Sequence, residues 1–345
     1  MCITPKRRHL SALQGGRTDR PSATLLSTFV VSLMEHAGVS WPECHNDPSA
    51  LSALQCARYE VLGLDSIVSH NDLVTETTMI AGNEVIDIGT IDRHPAVVVY
   101  PWRDVDPYDC SIPEGALDAG RNPIVRSSFE RIVERHGDMV ACTRVITGPV
   151  TLAGNLWGVE YLLYLSMRDP ERFSHAIGIA TDLLIDICRE AIGMGADSIY
   201  VPEATASCDL LVPRSLIIDV MPWYGKLSRS IRDVPSYLHI CGNVEPILPH
   251  IPDSGFSAFS FEAPACTTRE AYDALSGRMA LVGSVETVGS LLMGSPTNVY
   301  MEALGNIRDG VHVVCSACGV PPYTTLENMR AVVNAACDAN DSQSD

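Results

Sequence analysis

The runs Ser198-Ile-Tyr-Val201, Tyr237-Leu-His-Ile-Cys241, Phe256-Ser-Ala-Phe-Ser-Phe261, Ala280-Leu-Val-Gly283 and Val311-His-Val-Val-Cys315 decide the fold. Each is short and largely apolar on both faces, the pattern of a strand buried in a parallel sheet. Helical periodicity fills the gaps at 211–230, 268–276 and 325–336, so strand, polar loop and helix alternate steadily from Ser198 to Ala336. Earlier in the chain, 23–31, 65–69 and 140–147 add three strands, and 170–193 adds a long helix. Eight such strands alternating with helices predict an α/β fold of the (β/α)8 TIM-barrel type rather than an open sheet.

Three segments stand outside that rhythm. Residues 5–14 read as a helix stopped by Gly15-Gly16, giving an N-terminal helical extension over 1–22. Residues 83–100 show β-branched alternation around Gly89 and Pro95 and read as a β-hairpin excursion. Residues 338–345 form a polar acidic tail. A length of 345 residues suits an α/β barrel as one domain, so 1–345 is read as a single barrel domain.

Charge narrows the partners. Lys and Arg number 24 against 42 Asp and Glu, a formal net charge of −18, and no basic run follows Lys6-Arg7-Arg8. Such a chain repels a phosphate backbone, which excludes nucleic acid as a partner. No apolar stretch approaches the roughly 18 residues that span a bilayer, so no membrane insertion is expected. The N-terminal residues lack an apolar signal-peptide core, and the expectation is a cytoplasmic protein. Twelve cysteines without the regular spacing of a disulfide scaffold fit a reducing compartment, where a few of them are free to bind metal.

In a parallel barrel the chemistry sits where strands end. Tyr237-Leu-His239-Ile-Cys241-Gly-Asn243 places His239 and Cys241 two residues apart, on one side of an extended strand, with Leu238 and Ile240 on the other. Val311-His-Val-Val-Cys315-Ser-Ala-Cys318 ends a later strand with two thiols, and Phe259-Ser-Phe-Glu262 ends another with a carboxylate. One His and two thiolates make a tetrahedral zinc shell with one position left for substrate. His-x-Cys on a strand is also compatible with core packing, and Cys315-x-x-Cys318 with a redox pair; spacing alone leaves these open.

The stretch Leu238-His-Ile-Cys-Gly-Asn243, followed by Cys318-Gly-Val-Pro-Pro-Tyr-Thr-Thr-Leu-Glu-Asn328, resembles the methylcobalamin:coenzyme M methyltransferases of methanogens. These belong to the uroporphyrinogen decarboxylase superfamily. The resemblance continues through Thr4-Pro-Lys-Arg7, Ser40-Trp-Pro-Glu43 with His45, Tyr59-Glu-Val-Leu-Gly63, Asp87-Ile-Gly-Thr-Ile-Asp-Arg-His-Pro95 and Pro202-Glu-Ala-Thr205, and so spans nearly the whole chain. It implies a (β/α)8 barrel that binds Zn2+ through His239, Cys241 and Cys318, with Cys315 left to packing. It also implies that Glu262 is an acidic residue able to approach the metal and accept the substrate thiol proton, or else to hold a ligand in place. Glu203 and Asp72, near strand ends, are expected to line the corrinoid cavity, with helix capping and loop hydrogen bonding as their competing roles. Asn243 is a candidate donor to the sulfonate of coenzyme M.

The implied reaction moves a methyl group from methylcobalamin to the thiol of coenzyme M, giving methyl-coenzyme M in methanogenesis. No Asp-x-His-x-x-Gly corrinoid-binding motif is present, so the corrinoid is expected on a separate corrinoid protein. A different acceptor such as a tetrahydrofolate, or the opposite direction, would use the same ligands. Uroporphyrinogen decarboxylase itself is disfavoured: 27–38, where the superfamily resemblance places its propionate-binding arginines, contains no Arg, and the charge opposes a polyanionic substrate.

Overall fold

The computed structural model describes residues 3–27, 29–69, 72–263, 265–275 and 277–339. Its centre is an eight-stranded parallel sheet rolled into a barrel. In chain order the strands are β1 (Ser22–Ala23), β2 (Ser66–Val68), β3 (Ile86–Asp87), β4 (Ala96–Val97), β5 (Ala141–Val145), β6 (Ser198–Glu203), β7 (Ser236–Ile240), β8 (Ala258–Phe261), β9 (Ala280–Val285) and β10 (Val313–Ser316). Sheet order is β1-β10-β9-β8-β7-β6-β5-β2, every neighbour parallel. Asp65 N donates to Ala23 O at 2.9 Å and brings β2 against β1, which closes the circle. The predicted (β/α)8 barrel is the observed one.

Period-two alternation sorts the strand residues into two cores. Val145, Tyr200, Tyr237, Ala258, Val282, Val313 and Cys315 fill the barrel interior. Their neighbours Ile199, Val201, Leu238, Ile240, Phe259 and Phe261 pack outward on the helices. The helix Pro170–Gly193 matches its predicted bounds, because Pro170 opens it and the Asp169 carboxylate accepts from Arg172 N. Its buried residues Phe173, Ala176, Ile177, Ala180, Leu184, Ile187 and Ala191 repeat at helical spacing.

The extension is a plug rather than an appendage. Helix Pro5–Leu13 carries Ala12 and Leu13 into the barrel-interior core, sealing its floor. Arg8 Nη1 and Arg20 Nη1 reach the buried Asp65 carboxylate at 2.7 and 2.8 Å and bind the plug to the base of β2. The excursion forms the small antiparallel pair β3–β4. Trp41 Nε1 donates to Ile88 O, and Tyr323 Oη to Asp92 Oδ2, holding it against the barrel.

Two expectations need correction. The strand predicted over 23–31 is only Ser22–Ala23. Beyond Thr24 the chain leaves the ladder: Leu26 N turns to Ser316 Oγ, Val31 N to Pro322 O, and Val31–Ala37 becomes helical. The helix predicted over 211–230 contains a wide turn at Leu216–Val220 before Met221–Ser230. Pro222 has no N–H to return to the preceding turn, and the widened turn accommodates that loss. Of the tail at 338–345, Asp338 ends the last helix, Leu326–Asp338, while 340–345 lie outside the described residues.

Candidate metal centre

Strand parity builds the site. Along β7, Tyr237 and His239 point inward, and Cys241 continues that face as the strand ends. Gly242 then turns the chain at φ +71°, where a Cβ would stand 2.5 Å from Asp209 Oδ2, so only glycine suits the position. From β10 the chain runs two residues past Ser316 and brings Cys318 to the same point.

Cys241 Sγ lies 3.4 Å from His239 Nε2 and 3.7 Å from Cys318 Sγ. The three donor atoms are all within 4.8 Å of one another. With Zn–S near 2.3 Å and Zn–N near 2.0 Å, a tetrahedron has S···N and S···S edges of about 3.5 and 3.8 Å. The two edges that meet at Cys241 already stand close to those separations. His239 Nδ1 lies 3.0 Å from Ser260 Oγ on β8. With Nδ1 protonated and donating to that hydroxyl, the Nε2 lone pair faces the thiols.

The two sulfurs share their charge unequally. The Cys241 thiol hydrogen bond, with His239 nearby, holds Cys318 well below the usual thiol range. The same bond to Cys318, together with burial, pushes Cys241 up. One imidazole and two cysteine sulfurs are a soft donor set, suited to zinc rather than to magnesium or calcium. Three protein donors, not four, is the count of a catalytic zinc site.

The centre opens on a cavity of about 180 Å³ at the end of the barrel where the strands finish. Tyr200 and Pro202 of β6, Leu26 and Ser27 after β1, and His94 and Pro95 of the excursion wall it. The excursion therefore overhangs the mouth. A larger depression of about 360 Å³ sits at the opposite end, around Arg17, Asp19 and His312. It lies at the far end of the barrel from the thiols, and donor chemistry rather than size identifies the site.

The expected site residues separate here. Glu262 stands beside the trio: its Oε2 accepts from Gly242 N at 2.7 Å, so the carboxylate grips the turn that carries Cys241. Asp72 borders the cavity, yet its carboxylate is engaged by Thr75, by the backbone N–H of Val74, and by Arg121 Nε at 3.1 Å. Glu203 is not in the cavity. It shares the outward parity of Ile199 and Val201, and its fully buried carboxylate caps the helix Pro149–Trp157 through Val150 N, Thr151 N and Thr151 Oγ1. Burial pushes its carboxyl up, against those hydrogen bonds. Asn243 builds the turn: its N donates to Asp209 Oδ2 and its Oδ1 accepts from Glu245 N. Cys315 is buried in the barrel interior, where burial pushes its thiol up to about 12. Sequence reasoning missed Ser260 and Tyr200. Parity alone places Tyr200 on the face of Pro202 and Ser260 on that of Glu262; the β7–β8 register that sets His239 opposite Ser260 is a tertiary fact.

A family model described as uroporphyrinogen decarboxylase (URO-D) matches residues 4–338. The chain belongs to the uroporphyrinogen decarboxylase family. Within it, the chain is 31% identical over 335 residues to the methylated-thiol–coenzyme M methyltransferase of Methanosarcina mazei, covering 96% of this chain and 89% of that one. It is 32% identical to the methylcobamide:CoM methyltransferase MtaA of Methanosarcina barkeri, covering 96% and 97%. A solved methyltransferase from Methanosarcina mazei superposes with a TM-score of 0.93 at 30% identity, over 99% of this chain and 100% of that one. A B12-independent methionine synthase from Shewanella shares the fold alone, at TM-score 0.59 and 13% identity. This family member is accordingly a methyltransferase. Among its described residues no helix is long and apolar enough to cross a membrane.

Proposed function

We propose that this methyltransferase moves a methyl group from a methylated corrinoid, carried on a partner corrinoid protein, to the thiol of coenzyme M. The observation that carries the reading is the His239–Cys241–Cys318 trio, gathered within 4.8 Å at the cavity, with Cys241 at tetrahedral distances from the other two. His239, Cys241 and Cys318 would hold zinc, which would supply acidification of a coordinating thiol, making a thiol otherwise protonated at neutral pH a nucleophile.

The residues divide the remaining work. Cys241 and Cys318 supply negative charge that offsets the cation, favouring nucleophile activation over carbonyl polarisation. Ser260 fixes the His239 ring, and Glu262 fixes the Cys241 turn. A cavity of about 180 Å³ suits a two-carbon thiol sulfonate. A corrinoid macrocycle is far larger and would lie across the mouth, which agrees with delivery by a partner that also shuts out water. The single barrel of 1–345, the plug included, and a cytoplasmic setting belong to this reading.

The test offers purified protein methylcobalamin with either coenzyme M or a tetrahydrofolate and follows cobalt(I) by absorbance. Cobalt(I) with coenzyme M, absent with the folate, is expected. Turnover with the folate alone would defeat the acceptor assignment. Methyl transfer retained by a metal-free Cys241→Ala variant would defeat the role of zinc.

A further inference from the structure

A second group of metal-type side chains lies on the outer helix layer, away from the barrel mouth. Cys56 and Glu60 are four residues apart on the helix Pro48–Glu60, hence on one face of it. His136 is the last residue of the neighbouring helix Asn122–His136. One donor atom from each, thiol sulfur, carboxylate oxygen and imidazole nitrogen, lies within 4.8 Å of the others. Sulfur, nitrogen and oxygen are all zinc donors, and the mixture of a thiolate with an imidazole excludes the hard cations.

We propose that Cys56, Glu60 and His136 form a second, peripheral site for a zinc-class divalent cation, one that ties these two helices together. This site is independent of the reading given above for the barrel mouth. His136 Nε2 now contacts Glu60 Oε1 at 2.7 Å, and Arg135 contacts the same oxygen at 2.9 Å. A tetrahedral edge between these ligands is about 3.3 Å, so binding asks for a local opening of roughly half an ångström. Arg135 is 58% exposed and can swing into water. Half-exposed Glu60 supplies the access route, while Cys56 closes the inner side. Tyr59, edge-on to the His136 ring at 5.4 Å, limits how that ring can turn.

Two protons are displaced on binding. The Cys56 proton leaves to solvent as sulfur bonds the cation, and the Nε2 proton that the Glu60 contact requires is lost to solvent or replaced by one on Nδ1, which frees the Nε2 lone pair to bind.

The probe is Co2+, whose thiolate charge-transfer band reports a sulfur ligand. Full-length protein carrying Cys241→Ser and Cys318→Ser should bind about one equivalent with that band. Adding Cys56→Ser should abolish the band, and adding His136→Gln instead should weaken binding at least tenfold. His136→Gln in the otherwise native chain should lower the stoichiometry from two to one and leave methyl transfer unchanged. No thiolate band in the Cys241/Cys318 variant, or a band that survives Cys56→Ser, overturns the proposal. If the doubly substituted protein does not fold, the native chain against His136→Gln decides by itself: equal stoichiometry in the two overturns it. Loss of the barrel-mouth equivalent alone would count against the proposed function and leave this site standing.

Discussion

His239 is held from behind by Ser260, Nδ1 to Oγ at 3.0 Å, and its Nε2 is thereby aimed at Cys241 Sγ, 3.4 Å away. Removing such an outer partner typically costs ten- to a hundredfold in metal affinity. Ser260→Ala should therefore weaken zinc binding about tenfold or more, and Ser260→Thr, which keeps the hydroxyl, should recover most of it. Competition against a chelating dye measures this without turnover. Equal affinities for the native and Ala proteins would sink the orienting role.

Glu262 presents a separable question, because a carboxylate on Gly242 N can position a turn or take a proton. Glutamine keeps an acceptor for that N–H but cannot serve as a base. Glu262→Gln should retain zinc and keep kcat within about tenfold, whereas Glu262→Ala should loosen the Cys241 turn and lower zinc affinity. Loss of about a hundredfold or more in kcat by the Gln variant, with zinc retained, would make Glu262 a general base instead.

The barrel was legible because a parallel strand buried on both faces reads as an unbroken apolar run, and the run ending in Cys241 is the clearest. At 23–31 an equally apolar run misled. Among the described residues of that stretch only Ser22 and Ala23 find strand partners, and the apolar residues Leu25, Leu26, Phe29, Val30 and Leu33 pack in a loop and a helix. The candidate trio was legible in part: His239 and Cys241 share a face by parity, while the approach of Cys318 depends on closure of the barrel. Glu203 shows what residue type alone conceals. The parity that turns Ile199 and Val201 outward turns its carboxylate away from the cavity, where it caps a helix.

Asp65 tests whether the N-terminal plug is integral. Its fully buried carboxylate accepts from Arg8, Arg20 and Ala23 N. Replacing it with Asn leaves two guanidinium groups short of charge at the barrel floor, a loss of about 3 kcal/mol for a broken buried pair. Urea unfolding of Asp65→Asn should show that loss, with zinc affinity at the far end of the barrel unchanged. Native stability in the variant would mean that the plug is bound by apolar contacts alone.

His9 gives the same plug a pH signature. Its ring is fully buried, with Nδ1 2.9 Å from Ser22 Oγ, and burial lowers its pKa from 6.5 to about 4. The unfolded chain therefore binds a proton more tightly than the folded one between those values. The contribution of the neutral ring is complete above about pH 6.5 and is lost as pH falls toward 4, reaching about 2 kcal/mol lost at pH 5. His312, also lowered by burial, adds in the same direction. His9→Gln removes the first share and leaves the second. The fall in unfolding free energy from pH 7.5 to pH 5 should then be about 2 kcal/mol smaller in the variant than in the native protein. Parallel pH profiles for the two would show that His9 is protonated in the folded state with a partner that stabilises its charge.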